Sequence, residues 1–285
     1  LQLIESVALI PERPTSDDVL TAVVRVPGRA ADEVEIEIDW VVNGAVFATS
    51  GPESQPPGQF RRGDRVFVVV RASDGRESAS AASPEIEVRN APPVIRSATV
   101  EPDEPTTMDS IVGDARCDDV DGDPIEYQWR WYRNGVPIAD QVTDVLAPQI
   151  ASKGDAIVGE VRAFDGYTHS GWVRTQNVVV QNSAPTIRIE TNFVRGEDGV
   201  YRSRLKFEDP DKDVGLRIRL IRGPTGMDID PVSGVLSWTP LADAQESHLV
   251  EIMASDSEGG ESTLNFTATI EPGVEEAAAS GASDQ

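Results

Sequence analysis

The sequence predicts an all-β protein of three tandem β-sandwich domains strung into an elongated rod. Three observations carry this. Motifs recur at a step of about 91 residues, apolar and polar residues alternate at period two, and Gly and Pro (23 and 20 residues) fall between short apolar runs. Nothing in the 285 residues has the pattern of a long helix.

The step is read from matched pairs. Asn43-Gly44 recurs as Asn134-Gly135, Asp64 of RRGD as Asp155 of SKGD, and Asp74 of VRASDG as Asp165 of VRAFDG, each 91 residues on. A further step reaches Asp256 in MASDSEGG, and DVDGD (119–123) returns as DPDKD (209–213), offset by 90. The first two units close on VRNAPPVI (88–95) and VQNSAPTI (180–187), the second with Ser183 as an extra residue. The expected domains are 1–91, 92–184 and 185–271, followed by an acidic, Ala-rich tail, 272–285, with little to bury and so expected to be disordered. A unit of this length is too long for a solenoid repeat and matches an immunoglobulin-like sandwich in size. Proline in each short link keeps the backbone extended, which predicts a semi-rigid rod.

In the second unit Ile125, Tyr127, Trp129 and Trp131 alternate with Glu126, Gln128, Arg130 and Tyr132. In the first, Ile36, Ile38, Trp40 and Val42 alternate with Glu35, Glu37, Asp39 and Val41. Both patterns predict a half-buried strand ending in a tight Asn-Gly hairpin, with Trp40 and Trp131 as equivalent core residues. Further strands are expected at 66–72, 156–163, 201–207, 216–221, 249–255 and 263–270. A hairpin is expected within 224–240, turning at Asp230–Gly234.

Asp and Glu number 49 against 25 Lys and Arg, a net charge of −24, which argues against nucleic acid and anionic membranes as partners. No apolar run is long enough to span a bilayer, so no membrane insertion is expected. The lone Cys117 forms no intrachain disulfide and is expected to be a buried, inert thiol. The chain begins at Leu1 and is read as a mature protein or trimmed fragment.

EDPDKD (208–213), GPTGMDIDPVSGVLSWTP (223–240) and ASDSEGG (254–260) make the third unit resemble the immunoglobulin-like and cadherin-like modules of bacterial surface proteins. DDVDGDPIEYQWRWYRNG (118–135), VRAFDG (161–166) and the NSAP link (182–185) make the second similar to cadherin-like and polycystic-kidney-disease-type repeats. The first departs from this pattern, with PGRAAD (27–32) in place of DVDGD and only Asp32 remaining. The resemblance implies adhesion, spacing or an accessory role beside a secreted enzyme, at an extracellular, bacterial cell-surface or periplasmic location.

The candidate site is one for Ca2+, which takes about 6–8 hard oxygen ligands. Asp119, Asp121 and Asp123 stand on alternate residues beside Gly122, and Asp165 joins them if its turn lies at the same end of the sandwich. Asp209, Asp211, Asp213 and Asp256 are the equivalent set, with Glu208 as an extra candidate. The spacing is not that of an EF-hand, because Pro124 and Arg130 stand where Gly and Glu belong. The plainer reading is that these aspartates only form turns. Trp131, Tyr132, Trp172 and Tyr167 are candidates for a sugar platform, with Trp131 better explained as core. Arg62-Gly63-Asp64 spells an adhesive tripeptide, but its counterpart Lys153-Gly154-Asp155 points to a turn. Asn265-Phe266-Thr267 fits a glycosylation sequon within an expected strand. His169 and His248 lie near no nucleophile, so no enzyme is expected. The function expected is a non-catalytic extracellular structural or adhesive module, stiffened by calcium, whose partners are other surface proteins or polysaccharide. The alternative is a carbohydrate-binding accessory module of a secreted enzyme.

Overall fold

The computed structural model describes residues 3–28, 34–241 and 246–270. Asp32 and the tail 272–285 lie outside them. Every regular element among the described residues is a strand, and each repeat contains eight. The first repeat holds β1 (Ser6–Ile10), β2 (Leu20–Arg25), β3 (Glu35–Val42), β4 (Ala45–Ala48), β5 (Ser54–Gln55), β6 (Arg65–Ser73), β7 (Ser78–Ala82) and β8 (Ile86–Glu87). They form two sheets, β1-β2-β5 and β4-β3-β6-β7, with β8 also paired to β6.

The middle repeat holds β9 (Val94–Glu101), β10 (Ile111–Asp118), β11 (Glu126–Arg133), β12 (Val136–Pro137), β13 (Val145–Leu146), β14 (Ala156–Phe164), β15 (Val173–Arg174) and β16 (Val178–Val179). Its sheets, β13-β10-β9 and β12-β11-β14-β15 with β16 on β14, copy the first repeat strand for strand. The third repeat holds β17 (Thr186–Ile189), β18 (Val194–Arg195), β19 (Tyr201–Glu208), β20 (Arg217–Arg222), β21 (Met227–Ile229), β22 (Val235–Trp238), β23 (Ser247–Ser255) and β24 (Glu261–Thr269). There the sheets are β17-β19-β22-β21, with β18 on β19, and β20-β23-β24.

The chain separates into two compact units. One comprises the residues up to Glu101 with Val112–Leu146 and Val158–Asn177; the other comprises Pro102–Ile111, Ala147–Ile157 and the chain from Val178 onward. The division runs through the middle repeat.

Each predicted strand exists, because period-two alternation gives one face to bury. In the first repeat Val7, Leu9, Leu20 and Ala22 from one sheet pack against Ile38, Trp40, Val66, Val68 and Val70 from the other. The predicted turns follow from backbone chemistry. Asn43-Gly44 and Asn134-Gly135 both take positive φ (51° and 79°, 51° and 78°), the conformation a two-residue hairpin needs and Asn-Gly tolerates. The indole of each core tryptophan also finds an acceptor for its N–H. Trp40 donates to the Pro52 carbonyl at 2.9 Å and Trp131 to the Thr143 carbonyl at 2.8 Å. The third repeat draws its core indole from the β21–β22 hairpin instead: Trp238 packs with Leu205, Leu236, Val250 and Ile252 and donates to the Thr225 carbonyl at 3.1 Å.

One expectation needs correcting. Cys117 is half-buried, not buried. The inward positions of β10 open progressively, from buried Ile111 and Gly113 to half-buried Ala115 and Cys117, as the strand runs past the core, and its ladder with β9 slips between Arg116 and Cys117.

Two tryptophans share the core of the middle repeat. Trp129 stacks on Trp131 with centroids 5.9 Å apart, and room for the ring comes from the missing side chain of Gly113 on the facing sheet. A Cβ at Gly113 would meet the Trp129 ring at 2.5 Å. Since a stacked indole has little space to retreat, Gly113→Ala should destabilise the fold by about 1–3 kcal/mol through overpacking, measured as a lower denaturation midpoint with an unchanged denaturant slope.

Candidate metal centres at the repeat junctions

The aspartate loops lie where one repeat meets the next, and their surroundings begin with a short segment that the sequence reading passed over. Pro14-Thr15-Ser16-Asp17-Asp18 recurs 91 residues on as Pro105-Thr106-Thr107-Met108-Asp109. Thr15 donates its N–H and hydroxyl to Asp18 at 2.7 and 2.9 Å, and Thr106 does the same to Asp109 at 2.8 and 2.7 Å. The segment is pinned to the closing link of its own repeat, with Arg89 N–H on the Pro14 carbonyl at 2.8 Å and Gln181 N–H on the Pro105 carbonyl at 2.6 Å. This pairing places the Ser16 hydroxyl beside the Ala91 N–H, and the Thr107 hydroxyl beside the Ser183 N–H.

Those donors converge on the middle aspartate of the next repeat. Asp121 accepts from the Ser16 hydroxyl at 2.7 Å, the Ala91 N–H at 3.0 Å and the Arg62 N–H at 3.2 Å. Asp211 accepts from the Thr107 hydroxyl and from the Ser183 N–H, the latter at 2.6 Å. The third aspartate of each loop takes a cation from the preceding repeat. Asp123 pairs with two guanidinium nitrogens of Arg62, one at 3.0 Å, and Asp213 with the Lys153 ammonium at 2.6 and 2.7 Å. The same cations reach the link: Arg62 donates to Asn90 at 2.7 Å and Lys153 to Asn182 at 3.2 Å. Hydrogen bonds to Asp213 and then Glu258 raise the Lys153 pKa, and a hydrogen bond to Asp123 raises that of Arg62.

The last pair closes the set. Asn90 donates to Asp165 at 2.7 Å and Asn182 to Asp256 at 2.8 Å. Asp165 and Asp256 are only 2% and 7% exposed. Burial alone would raise both carboxyls, but hydrogen bonds outweigh it and hold both below the ordinary aspartate value. Asp165 receives them from Thr168, Asn90 and Tyr167, and Asp256 from Asn182, Gly260 and Glu258.

The carboxylates that approach closely enough to share a cation are Asp119, Asp121 and Asp123 at one junction and Asp209, Asp213 and Asp256 at the other, each trio within 4.8 Å. Asp165 and Asp211 stand outside these trios, their oxygens taken by the donors above. The first aspartate of each loop forms a turn with one oxygen: Asp119 accepts from Asp123 N–H at 3.1 Å, and Asp209 from the N–H groups of Asp211 and Asp213 at 2.8 and 3.2 Å. The other oxygen, Oδ2 of Asp119 and of Asp209, is buried with no hydrogen-bond partner among the described residues. Glu208 pairs with Lys206 at 2.5 Å instead.

The remaining candidates are placed elsewhere. Gly63 takes φ 87° in a turn, and the Arg62 and Asp64 side chains of the tripeptide are both engaged, Asp64 by Asn43 and the Arg61 N–H at 2.8 Å each. Trp131 is core. Tyr132 donates its hydroxyl to Glu160, Tyr167 lies under Arg62, and Arg130 and Arg162 lie over the Trp172 ring, 4.0 and 4.8 Å from its centroid. His169 stacks on Phe164 and His248 packs edge-on to Trp238. Asn265 is exposed on edge strand β24.

Residues 219–271 match the family model described as Putative Ig domain. No curated protein matches the sequence. Among solved structures the chain is similar to Sidekick-1 immunoglobulin domains 1-5, at 16% identity over 94% of this chain and 59% of that one, with a TM-score of 0.33. It is also similar to Protocadherin Gamma B2 extracellular cadherin domains 3-6, at 12% identity, 94% and 76% coverage and a TM-score of 0.27. For Drosophila OTK extracellular domains 3-5 the values are 10%, 93%, 98% and 0.30. The chain thus spans well under two thirds of the Sidekick-1 structure. The match over residues 219–271 agrees with the immunoglobulin-like resemblance drawn from the motifs of the third unit.

Removing the middle carboxylate strands three donors at once. Asp121→Ala should cost about 1–3 kcal/mol, whereas Asp118→Ala, which loses only an exposed pair with Arg96, should cost about 0–1 kcal/mol; thermal unfolding of the two variants separates these values. The depressed carboxyls set a pH dependence. Between their folded values and the unfolded value of about 3.9 the folded chain binds fewer protons than the unfolded one. The stability due to Asp165 and Asp256 is therefore complete above about pH 4 and is lost as pH falls through the folded values. The melting midpoint should drop on acidification through that window, and Asn90→Ala with Asn182→Ala should reduce the drop.

Proposed function

We propose that the chain is a non-catalytic extracellular module of structural or adhesive type, made of three sandwich domains, 1–91, 92–184 and 185–271, that work by holding a fixed relation to their neighbours. The observation that carries this is the junction built twice from matching residues: Ser16, Arg62, Asn90 and Ala91 toward Asp121, Asp123 and Asp165, and Thr107, Lys153, Asn182 and Ser183 toward Asp211, Asp213 and Asp256. A chain whose separate domains merely followed one another would need no such set. Other surface proteins are the partners this reading favours. A sugar platform is less well supported, since the Trp172 ring is already covered by guanidinium groups.

In its finer form this reading places a calcium ion at each trio. The unpartnered oxygens of Asp119 and Asp209 fit a cation, because a buried carboxylate oxygen without a donor is otherwise costly. Asp121 and Asp123, or Asp213 and Asp256, would supply the neighbouring ligands. Binding would require Arg62 or Lys153 to give up part of its hold on Asp123 or Asp213, so ion and side chain compete for one carboxylate.

Thermal unfolding in millimolar calcium against excess chelator tests this, since a ligand bound only to the native state raises the midpoint. The expected result is an upward shift that disappears in an Asp119→Asn, Asp209→Asn double variant, which keeps the turn acceptor but removes the charge. An unchanged midpoint would reject the calcium sites and leave the junctions held by Arg62 and Lys153.

A further inference from the structure

The outward face of β11, β14 and β15 gathers positive charge in a chain of net charge −24. Arg130, Arg162 and Arg174 stand there around Glu160, whose carboxylate accepts from Arg130 at 2.5 Å, Arg174 at 2.6 Å and the Tyr132 hydroxyl at 3.0 Å. The Glu160 side chain is only 6% exposed, whereas those of Arg130 and Arg174 are 44% and 71% exposed. The anion is covered and the guanidinium groups are presented. Their positions are fixed as well: Arg130 and Arg162 lie over the Trp172 ring, Arg174 and Arg130 over that of Tyr132, and Arg162 donates to Gln128 at 2.8 Å. Each guanidinium has five N–H donors and uses only some of them here, so spare forks face solvent in a shape suited to carboxylates.

The matching carboxylates occur on the same sheet of the first repeat. One step of 91 residues turns Glu37 into Gln128, Asp39 into Arg130 and Val69 into Glu160, while Arg71 corresponds to Arg162. On the first repeat the exposed Glu35 and Glu37 and the largely covered Asp39, which also accepts from the Ser50 N–H at 2.9 Å, stand beside Arg71, which pairs with Glu37 at 3.2 Å and Asp39 at 2.7 Å. Counting those groups gives −2. Counting Arg130, Arg162 and Arg174 against Glu126 and Glu160 gives +1. Beside the acidic face, β4 exposes Val46 (63%), apolar surface available to a partner.

We propose that the basic face of the middle repeat docks on the acidic face of the first repeat in a second copy of this chain. A long polyanion is a poor occupant, because the rest of the molecule would repel it. A folded partner offering a few carboxylates on a sheet face meets only the complementary patch, and this chain carries such a face. The inference rests on the adhesive part of the function proposed above and is independent of the junctions and of calcium.

Sedimentation velocity on the full chain, over a range of concentration and at low and high salt, reads it directly. The wild type should associate reversibly, and more weakly as salt rises. Glu35→Lys with Glu37→Lys should weaken self-association at least about tenfold, as should Arg162→Glu with Arg174→Glu. An equimolar mixture of the two variants should recover association, because each reversed face then meets its opposite. The glutamate variant alters only exposed side chains, so it keeps the test decisive if the arginine variant unfolds. A wild type that stays monomeric, or variants that associate as the wild type does, would overturn the proposal. So would a monomeric wild type that binds soluble polyuronate through Arg162 and Arg174, which would assign the face to acidic polysaccharide. A melting midpoint unchanged in the glutamate variant would show that losing association leaves the structural module intact.

Discussion

Asp121 and Asp211 collect donors that their own repeats do not supply. Each accepts a hydroxyl and a backbone N–H from the preceding repeat, and both donors come from segments that are themselves pinned together by the Pro14 and Pro105 carbonyls. Charge-assisted hydrogen bonds to backbone N–H groups are directional as well as strong. A carboxylate held by two or more of them has one position, not a range. The aspartate loop cannot shift relative to that end without losing several bonds at once, and such multiple fixing is what a short proline-containing link alone does not provide.

Bringing carboxylates together creates a second requirement, for positive charge. The two junctions meet it with different chemistry. Arg62 uses its planar fork, with two nitrogens on the oxygens of Asp123 and one of them also on Asn90. Lys153 uses one ammonium as a point charge shared by Asp213, Asn182 and Glu258. The Lys153 junction therefore has an added carboxylate, Glu258, where the Arg62 junction gains a stacking contact with Tyr167. A guanidinium fork fixes geometry, whereas an ammonium tolerates small displacements. With the same surroundings, the second junction is expected to be the more compliant of the two.

Much of the sandwich was legible because burial imposes a period. Strands β3, β6, β11, β14 and β19 lie within a residue or two of their predicted bounds, and the Asn-Gly hairpins sit where their positive φ requires. The sequence points to aspartates that gather at the repeat junctions, but not to their partners. Ser16 and Thr107 carry no signature of a ligand-holding role, although Pro14–Asp18 and Pro105–Asp109 repeat at the same step as the other motifs. The spacing of Arg62-Gly63-Asp64 and Lys153-Gly154-Asp155 marks only a turn, which Gly63 and Gly154 make with positive φ, while the Arg62 and Lys153 side chains serve the next repeat. Periodicity reports which face of a strand is buried. It does not report what lies opposite a loop, because that depends on contacts between residues 60 to 105 positions apart. Cys117 shows the same limit, since its parity was inward but the core had already ended.

The inner and outer faces of the repeats have diverged to different extents. Trp40 and Trp131 occupy the same position with the same hydrogen bond to a backbone carbonyl, and the strand orders of the first two repeats are identical. A core change must be absorbed by neighbours at crystal-like density, as the fit of Trp129 over Gly113 illustrates. An outward change meets solvent and costs little. The reversal from Asp39 to Arg130 is of this second kind, yet it did not occur alone. Glu160 stands where the first repeat has Val69, Arg174 and Trp172 join it, and the result is an ordered network in place of a scatter of charges. Orienting several long side chains has an entropic cost that isolated surface arginines avoid. A face that accepts this cost on one repeat, while its counterpart on the preceding one stays acidic and simple, differs in what it is built to meet.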